Sequence, residues 1–322
     1  MTEPPPATPL SPYAAAWNGV SRVADIGGPV HYVDFGGRVD GPCIVLVHGL
    51  GGSHLNWCLL APRLARHARV VAVDLAGFGL THPAGRAVTV PANAGLLGRF
   101  VGAVAGGPVV LVGNSMGGMV SILLASARPE VADGVVLVDP ALPWVRGVRP
   151  DRLVAAAFLL YALPRVGERY LARRRATLSS RQLVQQVLTL CCVDPSVVPE
   201  ELVAASVALL DQRAAVPGLD AAFLSAARSL VQVNARRRQY QAAMRAIRAP
   251  VLLLHGEQDR LVPVHAAQAA AAHNPSWRFQ PLRGVGHVPQ LETPDTVADL
   301  VLDWLGSTGV ASAAARSVTG SG

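Results

Sequence analysis

The sequence predicts an α/β fold: a mostly parallel central sheet flanked by helices, with a helical cap inserted late in the chain. Three observations predict it. Four short runs, 44–47, 70–73, 109–112 and 135–138, are almost wholly aliphatic, and strands apolar on both faces belong in a parallel sheet covered by helices on both sides. Strand signals alternate with helical ones along most of the chain. Between residues 143 and 249 that rhythm stops; helical spacing takes over, punctuated by Pro150, Pro164, Pro195, Pro199 and Pro217.

Residues 1–18 are rich in Pro and Ala and are expected to form a poorly ordered N-terminal segment. Strand-like stretches follow at 21–26 and 30–35, with Gly27-Gly28-Pro29 as the turn between them. Further strands are expected at 43–47, 70–73, 109–112, 135–138, 251–254 and 277–281, and helices at 55–66, 91–105, 117–127, 264–272 and 294–304. The core is thus assigned to 19–142 and 250–305, the helical cap to 143–249, and a Gly/Ser/Ala/Thr-rich flexible tail to 306–322.

At 322 residues the chain can bury one large core with an insertion. Its 28 basic residues are all arginine, against 21 acidic ones, for a net charge of +7. No arginine-rich tail with interleaved aromatics is present, so a nucleic-acid partner is not expected. Cys43, Cys58, Cys191 and Cys192 have no metal-ligand spacing. Cys43 opens a buried strand and the vicinal pair lies in an apolar helical stretch; reduced, structural cysteines fit a cytoplasmic location. The first residues lack the basic and apolar regions of a signal peptide, and the uncharged run at 153–163 is too short to span a bilayer.

The chemistry concentrates in loops that follow strands. Gly113-Asn114-Ser115-Met116-Gly117 places a serine between two glycines, after an aliphatic run and before a helical one. A serine at the tip of so tight a turn is strained, and bulky neighbours there would clash with the adjoining strand and helix. Four other loops accompany it: His48-Gly49-Leu50-Gly51-Gly52, Asp74-Leu75-Ala76-Gly77-Phe78-Gly79, Gly256-Glu257-Gln258-Asp259 and Gly284-Val285-Gly286-His287.

This set of five motifs in series resembles the α/β-hydrolase family, over roughly residues 20–142 and 250–305. A serine hydroxyl needs a base to become a nucleophile, and the base needs an acid to orient it. In that fold the three arrive in the order Ser, Asp or Glu, His. The resemblance therefore implies Ser115 as nucleophile, Asp259 as acid and His287 as general base. Asp139, after the strand at 135–138, competes with Asp259, because some members place the acid there. The N–H groups of Met116 and Leu50 are expected to form the oxyanion hole. His48 is expected to be structural, while His54 and His82, near motif loops, are candidates to line the site entrance.

A serine at position 115 argues against the family's dehalogenases and epoxide hydrolases, which use a carboxylate nucleophile. The expected activity is a carboxylesterase or lipase-like hydrolase of a hydrophobic ester, with neither metal nor organic cofactor required. An alternative is a carbon–carbon hydrolase of ring-cleavage products, whose elbow Gly113–Gly118 resembles. That group usually carries a Gly-Gly-Gly-Pro-Gly-type oxyanion loop and Trp after the histidine, where this chain has His48-Gly49-Leu50-Gly51-Gly52 and Val288. A second alternative is a non-catalytic binding protein on the same fold, although no triad residue is missing. In the cap, Leu153, Val154, Phe158, Leu159, Leu160 and Tyr161 either hold an acyl chain or pack onto the core. Arg173-Arg174-Arg175 and Arg236-Arg237-Arg238 form either a solvated face or a basic surface for anionic lipid or an acidic substrate.

Overall fold

The protein is described by a computed structural model over residues 12–38, 40–83, 85–145, 147–148 and 151–310. Eight strands form one sheet in the order β1-β2-β4-β3-β5-β6-β7-β8. They are β1 (Val20–Asp25), β2 (Pro29–Asp34), β3 (Cys43–Val47), β4 (Arg69–Val73), β5 (Val109–Asn114), β6 (Ala132–Val138), β7 (Val251–Gly256) and β8 (Arg278–Leu282). The β1–β2 and β2–β4 pairs are antiparallel, and every other pair is parallel.

Alternation within the aliphatic strands divides the core into two layers. Val45, Val71, Leu111 and Leu137 point into one, with Leu97, Phe100 and Val120. Ile44, Val70, Val112 and Val136 point into the other, with Trp57, Val301 and Trp304. The helices supplying these layers are α1 (Ala61–Leu64), α2 (Val90–Val104), α3 (Met116–Ala127), α10 (Val264–His273), α11 (Pro289–Glu292) and α12 (Pro294–Thr308). Between β6 and β7 lie α4 (Arg152–Ala162), α5 (Val166–Thr177), α6 (Ser180–Cys191), α7 (Glu200–Arg213), α8 (Leu219–Ala235) and α9 (Arg237–Ala246).

Local chemistry shifts several expected boundaries. The helix expected at 55–66 is a 3₁₀ turn, His54–Trp57, followed by α1. Ser53 and Asn56 close a capping box around the first turn, and Pro62, which lacks an N–H, suits only the start of the second. Pro12–Trp17 forms a 3₁₀ helix inside the stretch assigned to the N-terminal segment, and α12 runs on to Thr308, past the expected start of the tail. Residues 1–11 and 311–322, the rest of those two segments, lie outside the described residues. Helix α9, inside the interval assigned to the cap, packs on α3. Its Tyr240 and Met244 join the core layer, and the Tyr240 hydroxyl donates to the Ala141 carbonyl at 2.9 Å.

The turn between β5 and α3 is tightest at its glycines. A Cβ on Gly117 would sit 2.1 Å from the Val47 carbonyl oxygen and 2.5 Å from that of His48. A Cβ on Gly113 would sit 2.5 Å from the Gly117 carbonyl oxygen. These clashes are with backbone, which cannot rotate away. Gly117→Ala is therefore expected to destabilise the fold by about 1–3 kcal/mol or more. Gly102→Ala, in α2 with open space at its Cβ, is expected to be neutral or stabilising by up to about 1 kcal/mol. Urea unfolding of the two variants beside wild type checks the contrast.

Candidate active site

Ser115 occupies the single step between β5 and α3 with φ 54° and ψ −119°. A non-glycine residue in that region carries about 1–3 kcal/mol of strain unless its surroundings fix it. They do. Its N–H donates to the Val138 carbonyl at 3.1 Å, and its carbonyl accepts from Ala141 at 2.9 Å and Met119 at 3.2 Å. The Met116 N–H lies in the first turn of α3, where N–H groups have no acceptor within the helix. The His48–Gly49 loop presses on the same turn: a Cβ on Gly49 would meet the Ser115 Cβ at 3.0 Å. Leu50, the next residue, is partly buried against the core.

His287 is buried and hydrogen-bonds through Nδ1 to Asp259 Oδ2 at 2.7 Å. Asp259 follows β7, and its Oδ1 accepts the Leu261 and Val262 N–H groups at 2.7 and 3.0 Å. Burial alone would raise the Asp259 carboxyl, but His287, His255 and the backbone donors hold it below the ordinary range. The elbow is tied to the histidine through Asn114, whose side-chain N–H₂ donates to the Val138 and His287 carbonyls, both at 3.0 Å.

Two further contacts anchor the histidine loop, and neither was legible in the sequence. The His287 N–H donates to the Cys191 carbonyl at the end of α6, at 2.7 Å. Glu292 accepts from Gly286 N–H through Oε1 and from Val193 N–H through Oε2, each at 2.8 Å. The end of α6 and Val193 thus share two hydrogen bonds with the His287 loop and α11. Burial pushes the Glu292 carboxyl up from its ordinary value.

His48 holds the glycine loop. Its Nδ1 donates to the Gly49 carbonyl at 2.7 Å and its Nε2 accepts the Leu75 N–H at 3.0 Å. An N–H donor to Nε2 requires that nitrogen to be bare, so the network fixes a neutral tautomer. Burial pushes its pKa down to about 4.

His54 lines no entrance: it is fully buried, with its N–H and Nδ1 on Asp74. Asp74 also receives His31 Nδ1 at 2.7 Å and Leu80 N–H at 2.8 Å. Desolvation opposes ionisation of Asp74, but His54 and His31 outweigh it and keep its carboxyl well below the usual range. Ser21 Oγ lies 2.6 Å from His31 Nε2, so Ser21, His31 and Asp74 repeat the connectivity of a triad. That chain sits mid-strand, with Ser21 opposite Val33 in the β1–β2 pair, and it ties the edge hairpin to the Asp74 loop. His82 is exposed.

Two buried trios could bring ligand atoms to one cation: His31, His54 and Asp74, and Asp139, His255 and Asp259. In the first, both His31 nitrogens are engaged by Ser21 and Asp74. In the second, Asp259 is engaged by His287 and His255 Nε2 by the Val262 carbonyl at 2.7 Å. Binding an ion at either would break these bonds. The four cysteines are free thiols. Among the described residues, no helix is long and apolar enough to cross a membrane.

The sequence profile of the alpha/beta hydrolase family matches residues 44–300. The chain belongs to that family and is a hydrolase of its fold. It is 28% identical over 262 residues to the pimeloyl-[acyl-carrier protein] methyl ester esterase of Xanthomonas campestris pv. campestris, covering 80% of this chain and 93% of the relative. It is 26% identical over 308 residues to the 2-hydroxy-6-oxo-6-(2'-aminophenyl)hexa-2,4-dienoic acid hydrolase of Metapseudomonas resinovorans, covering 89% and 91%. A thermophilic esterase from Thermogutta terrifontis shares the fold with a TM-score of 0.67 at 23% identity, over 90% of this chain and 98% of that one.

The His48 environment has a pH consequence. Its folded pKa of about 4 lies below the ordinary 6.5, so the unfolded chain binds this proton more readily. The stability it confers is complete above pH 6.5 and is lost as pH falls toward 4, by up to about 3 kcal/mol. An NMR titration is expected to keep the His48 ring neutral in the folded protein until about pH 4; a midpoint near the ordinary value would contradict this.

Proposed function

We propose that the protein is a serine hydrolase of carboxylic esters with a hydrophobic acyl group, working through an acyl-enzyme. The observation that carries the reading is the His287–Asp259 hydrogen bond, in a loop tied by Asn114 to the strained turn that presents Ser115. Ser115 Oγ attacks the ester carbonyl carbon while His287 Nε2 takes its proton. Asp259 holds Nδ1–H, fixes the tautomer and balances the imidazolium charge. The oxyanion is received by the N–H groups of Met116 and Leu50, each worth about 10²–10³ in rate. His287 then returns the proton to the leaving alcohol, and water releases the acid by the same steps in reverse order. The relative named as a methyl ester esterase supports this reading.

The relative named as a dienoic acid hydrolase favours the carbon–carbon rival, which shares the Asn114-Ser115-Met116 elbow. Against it stand Val288 and the His48–Gly52 loop. A panel of p-nitrophenyl esters beside a dienoate ring-cleavage product separates the two: ester preference is expected, and preference for the dienoate overturns the ester assignment. A fluorophosphonate probe is expected to label Ser115, and Ser115→Ala to abolish both labelling and turnover. Unlabelled folded protein would instead favour a non-catalytic binding role.

The cap surface supports contact with anionic lipid. Leu153 and Leu159 are 69% and 63% exposed on α4, and Leu163 and Val166 are exposed beyond it. Arg152, Arg165, Arg169 and Arg173 flank these residues in the sequence and are exposed. Each arginine near an anionic bilayer contributes about 1 kcal/mol, screened by salt. Co-sedimentation with vesicles containing phosphatidylglycerol is expected, with loss on Leu153→Glu/Leu159→Glu and at high salt. Equal behaviour of that variant and wild type would refute the contact.

A further inference from the structure

Strands β6 and β7 end side by side, and each delivers an aspartate to one buried point. Asp139 follows β6 and is fully buried; Asp259 follows β7 and is nearly so. His255 Nε2 stands 3.6 Å from Asp139 Oδ1 and 3.5 Å from Asp259 Oδ2. One ligand atom from each of the three lies within 4.8 Å of the others. Two carboxylates this close in a buried site oppose each other's ionisation, which favours keeping one proton on the pair.

The surrounding donors decide where that proton sits. Asp259 is well supplied: Leu261 and Val262 N–H on Oδ1, and His287 Nδ1–H on Oδ2. Among the described residues, the Asp139 carboxyl accepts from the Gly256 N–H alone, at 2.9 Å on Oδ1. Its Oδ2 is buried without a donor. His255 cannot supply one, because its Nε2–H is directed at the Val262 carbonyl at 2.7 Å and its Nδ1 is buried without a partner. An acceptor oxygen left without a donor is costly in the interior. Carrying a hydrogen, that carboxyl becomes a donor, and the Asp259 carboxylate in the same buried cluster is an available acceptor. The backbone of Asp139 is held at φ 43°, a strain that persists only where the surroundings over-determine a position.

We propose that Asp139 holds a proton and donates it to Asp259, as a positioning residue that leaves Asp259 the one negative charge facing His287. This rests on the roles of His287 and Asp259 given above. Burial and the Asp259 charge both push the Asp139 carboxyl well up. The other titratable groups around the pair are His255, His287, Glu292 and Cys191. One charge on the pair balances the imidazolium formed during attack. Two would stabilise the imidazolium further and slow return of its proton to the leaving alcohol.

Asp139→Asn tests this, because the amide keeps the acceptor for Gly256 and replaces O–H with N–H toward Asp259. With a p-nitrophenyl ester, the acid limb of the kcat/KM pH profile is expected to stay where it is in wild type. A charged Asp139 would instead make the variant's acid limb fall by about one unit or more, and that overturns the proposal. Asp259→Asn is expected to lose about 10³–10⁴ in kcat; survival of Asp259→Asn with loss in Asp139→Asn would exchange the two roles and also overturn it. Infrared spectroscopy gives a readout without turnover. A protonated-carboxyl band at neutral pH should appear in wild type and Ser115→Ala and weaken in Asp139→Asn, whereas an unchanged band in Asp139→Asn refutes the assignment. Failure of the serine-hydrolase reading would look different: an unlabelled Ser115 with the Asp139 band intact.

Discussion

The site depends on one close approach, the Gly117 backbone against the Val47 and His48 carbonyls. Because no Cβ stands between them, α3 can start one residue after β5 and directly beside β3. Ser115 is then forced into the left-handed region, and the glycine loop after β3 is brought against its Cβ. The Ser115 turn and the glycine loop after β3 are placed by the same contact. A larger residue at position 117 would separate α3 from β3 and relax the strain that presents the serine.

Around that turn, buried polar groups are arranged so that each charge has a named partner. Asp74 is surrounded by two histidines and two backbone N–H groups, and it anchors the loops on which His48 and His54 sit. His48 remains neutral and spends both nitrogens on backbone. Polar networks in a low-dielectric interior rigidify only when satisfied. Of the buried atoms left without a partner, Asp139 Oδ2 and His255 Nδ1 fall beside the proposed acid, where a shared proton accounts for the first.

The parallel sheet was legible because its strands are aliphatic on both faces, which few other structures permit. The strand expectations at 43–47, 109–112 and 251–254 fall within β3, β5 and β7. Helix boundaries were less so: Pro62 and the Ser53 capping box divide the interval 55–66, a local effect that hydrophobic periodicity does not register. His54 read as a site-entrance candidate because sequence proximity to the glycine loop says nothing about which way a side chain turns; Asp74, twenty positions away, turns it inward. The cap contacts were illegible for a related reason. A carbonyl such as that of Cys191 has no side-chain signature, and Glu292 shows its purpose only once Gly286 and Val193 are beside it.

Those contacts tie the helices between β6 and β7 to the His287 loop. His287 is held at Nδ1 by Asp259 from the core, at its carbonyl by Asn114 from the elbow, and at its N–H by Cys191 from α6. Three separate elements therefore hold one residue, and the third contact exists only when α6 is folded. Glu292 strengthens that dependence by bridging Val193 to Gly286 on either side of the same crossing. A histidine with one hydrogen bond can swing on its loop, while one whose backbone is clamped at both ends can move only its ring. The base proposed for Ser115 therefore owes its position to the end of α6 as much as to Asp259, so the helices between β6 and β7 bear directly on how that loop is held.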